Sequence, residues 1–235
     1  MKAIFLSDAH LRNAQDDNYK HLMGLLNDQQ DLDALFLLGD IFEFWLGYRH
    51  LVFAAYVPLL EQLRQLTDSG TRLYFVEGNH DFSLGPYFSD TLGCTVITEQ
   101  ELIKWDGRSI LLCHGDLINP TPAYLCLRKF WRSSFIKVLT RIIHPDPIWK
   151  LGLWLSNKSQ KKKPLTKNND PTPWLQTFAA NSVNDHYDLL ICGHFHFPVL
   201  LEENNQQIIA LGDWQSRRCY AELVDGRITL KTYPG

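Results

Sequence analysis

No stretch of this 235-residue chain approaches the ~18 uncharged apolar residues that a membrane-spanning helix needs. A secretory start is lacking too, because Met1-Lys2-Ala3-Ile4-Phe5-Leu6-Ser7 reaches Asp8 before an apolar segment of signal length can form. Cysteine is sparse: Cys94, Cys113, Cys126, Cys192 and Cys219 are odd in number and form no C-x-x-C pair, which argues against a disulfide framework or a thiolate zinc site. Cys113 and Cys192 read as small buried strand residues. Internal repeats and low-complexity linkers are also missing. The expectation is a cytoplasmic protein of one domain, since 45% hydrophobic and 12% aromatic residues over this length suffice for a full core.

What the chain does contain is a series of short apolar runs that end abruptly in metal-binding side chains. Phe5-Leu6-Ser7-Asp8-Ala9-His10, Phe36-Leu37-Leu38-Gly39-Asp40, Phe75-Val76-Glu77-Gly78-Asn79-His80, Ile110-Leu111-Leu112-Cys113-His114 and Leu190-Ile191-Cys192-Gly193-His194-Phe195-His196 all share this form. Such runs read as buried strands, and in α/β sheets ligand sites form beyond the carboxyl ends of strands. The five ends should therefore converge. Carboxylate oxygen and imidazole nitrogen suit divalent ions, and one carboxylate can bridge two of them; Asp40 is the natural bridge. Asp8 and His10, two residues apart, share a face of an extended strand end, and His194 and His196 repeat the spacing. One Asp or His at a strand end is ordinarily a cap or turn residue. Five in order are not explained that way.

Strand and helix alternate in the first half: strand near residues 2 to 7, helix 19 to 29, strand 34 to 38, helix 51 to 68 and strand 72 to 77, the pattern of parallel βαβ units in an α/β fold. Residues 109 to 113, 188 to 192, 207 to 211 and 218 to 223 read as further strands, with Asp225-Gly226 a hairpin signal.

Asp8-x-His10, Gly39-Asp40, Gly78-Asn79-His80-Asp81, His114-Gly115-Asp116 and Gly193-His194-x-His196 resemble the ordered motif set of the calcineurin-like metallophosphoesterases. Within that superfamily, Gly39-Asp40-Ile41-Phe42-Glu43-Phe44-Trp45, Asp81-Phe82-x-Leu84-Gly85 and Leu211-Gly212-Asp213-Trp214 look like the UDP-2,3-diacylglucosamine diphosphatases of lipid A synthesis. The resemblance implies an αββα sandwich, two packed mixed sheets flanked by helices. It implies two divalent ions, Mn²⁺ first, with Fe²⁺, Zn²⁺ and Co²⁺ also compatible. Asp8, His10 and His196 with Asp40 would hold one ion, and Asn79, His114 and His194 with Asp40 the other. Asn79 and His80 would stabilise the transition state, and Asp81 and Asp116 would support His80 and His114. The implied reaction is attack of water on the uridine-side phosphorus of an acylated sugar nucleotide, giving UMP and 2,3-diacylglucosamine 1-phosphate. A phosphoesterase acting on another nucleotide, nucleic acid or phosphoester is the alternative. The chain departs from the better-known branch at His80, where that branch has Arg, at Tyr48, and in Asn119-Pro120-Thr121-Pro122 after the His-Gly-Asp motif.

Acidic residues nearly vanish between 117 and 167, where eleven Lys or Arg accompany only Asp146, a formal charge of +10, while the remainder carries −13. Tyr124, Leu127, Trp131, Phe135, Val138, Leu139, Ile142, Trp149, Leu153 and Trp154 recur there at helical spacing among Arg128, Lys129, Arg132, Lys137 and Arg141. Two helices broken at Pro145 and Pro147 are expected, forming a cap insertion over residues 117 to 170 of the single domain 1 to 235. Basic amphipathic helices with Trp and Phe are the sequence form of a membrane-surface element, so the protein should lie peripherally on the cytoplasmic face of the inner membrane. An ordinary helical hairpin packed on the core is the competing reading. By resemblance, Ser159, Lys163 and Lys167 of the cap would hold the substrate head group. Neither nucleic acid nor an obligate protein partner is expected, because the basic residues sit on an apolar helical element rather than an open groove.

Overall fold

The computed structural model describes residues 1–29, 31–160, 170–181, 186–203 and 206–234. Its first sheet holds six strands: β1 (Lys2–Leu6), β2 (Ala34–Leu37), β3 (Arg72–Val76), β4 (Thr95–Ile97), β10 (Cys219–Val224) and β11 (Arg227–Thr232), in the order β11-β10-β1-β2-β3-β4. The second holds β5 (Gln100–Trp105), β6 (Arg108–Cys113), β7 (Leu189–Cys192), β8 (Pro198–Glu203) and β9 (Gln206–Leu211), in the order β5-β6-β7-β9-β8. Both sheets are mixed. β1, β2, β3 and β4 run parallel, as do β6, β7 and β9; β10 joins β1 antiparallel with β11 beyond it, and β5 and β8 are antiparallel edges of the second sheet.

Alternation along β1 shows how the layers form. Ala3 and Phe5 face the second sheet, in a core that includes Phe36, Trp105, Ile110, Leu112, Ile191 and Ile209. Ile4 and Leu6 face the helices α1 (Asp17–Asn27) and α2 (Val57–Asp68), which bury Leu22, Leu25, Leu60 and Leu63 against them. A strand buried on both faces can be apolar throughout, which is why these runs show no polar alternation. Outside the second sheet, α6 (Thr172–Asn181) packs Leu175 and Ala179 on Leu190 and Ile208. The result is the expected αββα sandwich.

Three helices rather than two fill the basic insert: α3 (Pro122–Trp131), α4 (Ser134–Ile142) and α5 (Pro145–Gln160). The extra break falls at Ser133, whose extended backbone and hydroxyl cap α4 by accepting the N–H of Ile136. Pro145 opens α5, a position where its missing N–H costs nothing. α5 docks by Trp149, whose ring centroid lies 4.5 Å from Phe53 and 5.3 Å from Tyr56. Gly152 is forced there, because a Cβ would sit 2.5 Å from the ring of Phe44. Between β9 and β10, the one-turn α7 (Trp214–Arg217) is capped by Asp213 and sets its first N–H groups on the carbonyls of Ser7 and Asp8. The expected Asp225-Gly226 hairpin is present, both residues having the positive φ that a tight hairpin turn demands.

Candidate metal centre

The parallel strands β1, β2 and β3 of one sheet and β6 and β7 of the other end at the same edge of the sandwich, which brings the five chain reversals together. The N–H of Asp8 donates to Gly39, that of His10 to the carbonyl of Asp40, and that of Gly193 to the carbonyl of His114. Asp8, His10, Asp40, His194 and His196 all have φ between 45° and 70°. Left-handed backbone costs an L-residue ~1–2 kcal/mol, and Asp and His are among the side chains found there. Five such residues around one point mark a site where local strain is held for function. Close approach fixes the glycines between them: a Cβ on Gly193 would stand 2.5 Å from that of Ser7 and 2.6 Å from Asp8 Oδ2, and one on Gly78 would collide with the Asp40 carboxylate.

Each carboxylate is held by one oxygen and presents the other. Asp40 Oδ1 accepts the N–H groups of Asn79 and His80, both at 2.9 Å. Its Oδ2 lies 3.9 Å from His10 Nε2 and 3.6 Å from His114 Nε2, between the two halves of the site. Asp8 Oδ2 accepts the N–H of His194 at 2.9 Å, while Oδ1 stands 3.5 Å from His196 Nε2 and is buried without a hydrogen-bond partner. His114 Nδ1 donates to the carbonyl of Leu38 at 2.8 Å, so in the neutral ring Nε2 carries a lone pair, 3.2 Å from the Asn79 side-chain oxygen. Both ring nitrogens of His10 are buried without a hydrogen-bond partner.

Buried acceptors facing one another cost several kcal/mol unless a proton or cation lies between them. The donor set therefore fits divalent cations with mixed oxygen and nitrogen coordination. Ligand atoms within 4.8 Å of one another group as Asp8, His10 and His196; as Asp8, Asp40 and His114; and as His10, Asp40 and His80. The first holds three of the four residues expected for one ion, without Asp40. The others place Asp8 beside the second half of the site and His80 at ligand distance. The His194 ring lies 5.1 Å from that of His114.

The electrostatics follow from burial. Desolvation pushes the Asp8 carboxyl up, with the imidazoles of His196 and His114 only partly opposing it. Burial would also raise Asp40, but His114 and His80 outweigh it and hold the carboxyl well below its ordinary value. Desolvation drives His10 well below the usual imidazole range. It opposes protonation of His114 and His80 too, yet Asp40 and their hydrogen bonds carry both upward. Negative charge is thus kept at Asp40 and balanced by imidazoles, a role that a cation would take over.

Two supporting residues work differently from expectation. Asp81 acts on His80 through its charge; its carboxylate accepts the N–H groups of Asp40, Ile41, Phe42 and Gly78 at 2.8–3.3 Å, and burial lifts it to about 7. It ties the β2 and β3 reversals to each other. Asp116 does not orient His114; it accepts from Tyr124 Oη at 2.5 Å and Arg128 Nε at 3.2 Å, both on the cap. The partner of His80 is the carbonyl of Glu43, at 2.8 Å from Nδ1. Glu43 itself is a site residue that the sequence reading treats only as part of a motif. Its buried carboxylate meets Arg12 at 3.0 Å and His10 Nδ1 at 3.7 Å, and takes a hydrogen bond from Ser156 of α5. The signal was an acid inside Ile41-Phe42-Glu43-Phe44-Trp45, which cannot be buried uncompensated.

A cleft of about 360 Å³ opens from this centre toward the cap. Asn79, His80 and Gly78 form its inner end, and Phe44, Phe82, Leu127, Trp131, Ile148, Leu151 and Leu155 give it apolar walls. Arg128 and Arg132 also line the cleft, but their guanidiniums are paired, Arg132 with the buried Glu77 and Arg128 with the buried Asp116 and the exposed Glu99. Lys163 and Lys167 lie outside the described residues, as does the side chain of Ser159.

The calcineurin-like phosphoesterase family model matches residues 1–198. A UDP-2,3-diacylglucosamine hydrolase of Pseudomonas entomophila is 32% identical, with 94% of each chain covered. One of the same description from Ectopseudomonas mendocina is 33% identical over 95% of this chain and 94% of that one. A solved archaeal phosphodiesterase superposes with a TM-score of 0.52 at 13% identity over 98% of this chain and 99% of its own, a likeness of fold. With the model matching 198 of its 235 residues, this chain belongs to the calcineurin-like phosphoesterase family.

Proposed function

We propose that this chain hydrolyses the pyrophosphate bond of UDP-2,3-diacylglucosamine to UMP and 2,3-diacylglucosamine 1-phosphate, as the names of its relatives describe. The observation that carries the reading to this molecule is the cleft. It joins the acceptor-lined centre, suited to a phosphate, to an apolar wall from the cap, suited to acyl chains. We take residues 1 to 235 as one phosphoesterase domain with a cap insertion at 117 to 170, of which α3 and α5 line the cleft.

Asp8, His10, His196 and Asp40 would hold one divalent ion, and Asp40, Asn79, His114 and His194 the other, Mn²⁺ being our first choice. When bound, such a pair polarises phosphoryl oxygens and lowers the pKa of water from ~15.7 toward ~7. Two backbone N–H groups lock Asp40 Oδ1, which fixes Oδ2 between His10 and His114. Asn79 is set by the same loop and offers its amide at the inner end of the cleft. Because a carbonyl only accepts, His80 Nδ1 carries a proton toward Glu43, and Nε2 is the atom left to hold or deliver one to the leaving oxygen. His80→Ala should lower turnover by ~10² or more while two ions per chain remain bound. Metal analysis of the purified variant checks this; loss of an ion would make His80 a ligand.

No helix among the described residues is long and apolar enough to cross a membrane. Phe135, Val138 and Ile142 of α4, at i, i+3 and i+7, are 64%, 51% and 76% exposed. An outward apolar stripe of this kind supports peripheral attachment to the cytoplasmic face of a membrane. Incubation with Mn²⁺ and UDP-2,3-diacylglucosamine in detergent tests the function. UMP and 2,3-diacylglucosamine 1-phosphate should appear in equal amounts; an intact substrate, with a nucleotide or phosphoprotein hydrolysed instead, would favour the alternative phosphoesterase.

A further inference from the structure

We propose that Arg128 and Arg132 of the cap are positioning residues for the metal centre, clamping the two loops that carry Asn79 and His114. Tyr124, Arg128 and Arg132 are spaced four apart, so they share one face of α3, Arg132 being its C-terminal cap. That face meets two acids placed symmetrically about the site. Glu77 precedes Asn79 by two residues, and Asp116 follows His114 by two.

Arg132 Nη1 reaches Glu77 Oε2 at 2.7 Å, and Nη2 donates to the carbonyl of Gly78, the residue before Asn79, at 3.3 Å. Glu77 in turn uses Oε1 to accept the N–H of Leu84 at 3.0 Å, so it is anchored from both sides. Arg128 Nε and Tyr124 Oη converge on one oxygen of Asp116, and Arg128 Nη1 continues to Glu99 at 3.0 Å. Burial of Tyr124, together with the charge of Asp116 and their hydrogen bond, pushes its hydroxyl strongly upward, keeping it a donor. Both acids are largely desolvated and both arginines are mostly covered, conditions under which charge-assisted forks hold geometry. The loops so clamped present Asn79 Oδ1 and His114 Nε2 to each other at 3.2 Å. Although both arginines border the cleft, their guanidiniums are engaged by these acids, so a change on α3 should reach the metal centre through the two loops.

The inference rests on the reading of Asn79 and His114 as ligands. Arg132→Gln and Arg128→Gln are assayed in the full chain for Mn²⁺ binding by equilibrium dialysis and for hydrolysis of bis-p-nitrophenyl phosphate, a diester too small to need the apolar cleft. We expect Mn²⁺ affinity to fall ~10–100-fold, as for loss of groups that orient metal ligands, with kcat lowered more than KM. Arg132→Lys keeps the charge beside Glu77 but lacks the fork to Gly78, and should recover part of the affinity; it decides the matter if Arg132→Gln does not fold. Glu77→Gln combined with Arg132→Gln should be less than additive. Unchanged Mn²⁺ affinity and unchanged diester turnover in the folded arginine variants would overturn the proposal. His114→Ala separates the two readings: if it still bound two ions tightly, the ligand assignment would fail, not the clamp.

Discussion

Asp40→Asn should give a folded protein that binds fewer than two ions per chain and hydrolyses no substrate at a measurable rate. The substitution keeps an oxygen to accept the N–H groups of Asn79 and His80, so the β2 and β3 reversals retain their register. It places a neutral amide where the charged Oδ2 faced His10 and His114. His114, which the Asp40 charge keeps protonated, loses that partner, so the apo protein should stay folded but melt at a lower temperature. What disappears is the negative charge able to bridge two cations. The loss of activity should exceed the ~10- to 100-fold that follows from removing a group that only orients a ligand. Metal content by elemental analysis, a melting curve and a diester assay on the same sample check the three parts. Two tightly retained ions would contradict the bridging role.

Replacing Phe135, Val138 and Ile142 together by Ser should release the protein from anionic vesicles while sparing the metal chemistry. Burying each such side chain fully is worth ~1.5–3 kcal/mol, and an interfacial helix realises part of that, so partitioning should weaken by ~100-fold or more. These positions point away from the core, and none lines the cleft. Hydrolysis of bis-p-nitrophenyl phosphate should be unchanged, and so should hydrolysis of detergent-dispersed lipid substrate. Activity on substrate presented in vesicles should collapse. Charge reversal at Arg128 and Arg132 is the wrong test of membrane binding, because both arginines pair with buried acids. Vesicle sedimentation of the triple variant at low and high salt gives the measurement; binding equal to that of the parent would make α4 an ordinary surface helix.

Much of the fold was legible because strands buried on both faces are continuous apolar runs, and their ends carry residues that have no other reason to be there. β1, β2, β3, β6 and β7 fall within a residue or two of expectation for this reason. β5 and β8 were not foreseen, since Gln100–Trp105 and Pro198–Glu203 are edge strands whose charged residues face solvent. α6 was hidden by Asp170-Pro171-Thr172-Pro173, which reads as a loop, although Asp170 accepts the Thr172 N–H and hydroxyl ahead of the helix. At the site, residue types and spacing identified the groups that converge. They could not reveal that the carbonyls of Glu43 and Leu38 take Nδ1 of His80 and His114, nor that Asp81 serves four amides. Those are tertiary facts. The insert shows the same limit: a sequence count of cations cannot say which ones are already paired with core acids.

The most direct measurement is hydrolysis of UDP-2,3-diacylglucosamine in ¹⁸O-enriched water with Mn²⁺, followed by phosphorus NMR of both products. A centre that directs water to the uridine-side phosphorus, with the acylated sugar phosphate leaving from the cap cleft, predicts one ¹⁸O atom in UMP and none in 2,3-diacylglucosamine 1-phosphate. Label in the sugar phosphate, or no release of UMP by the metal-loaded chain, would contradict it.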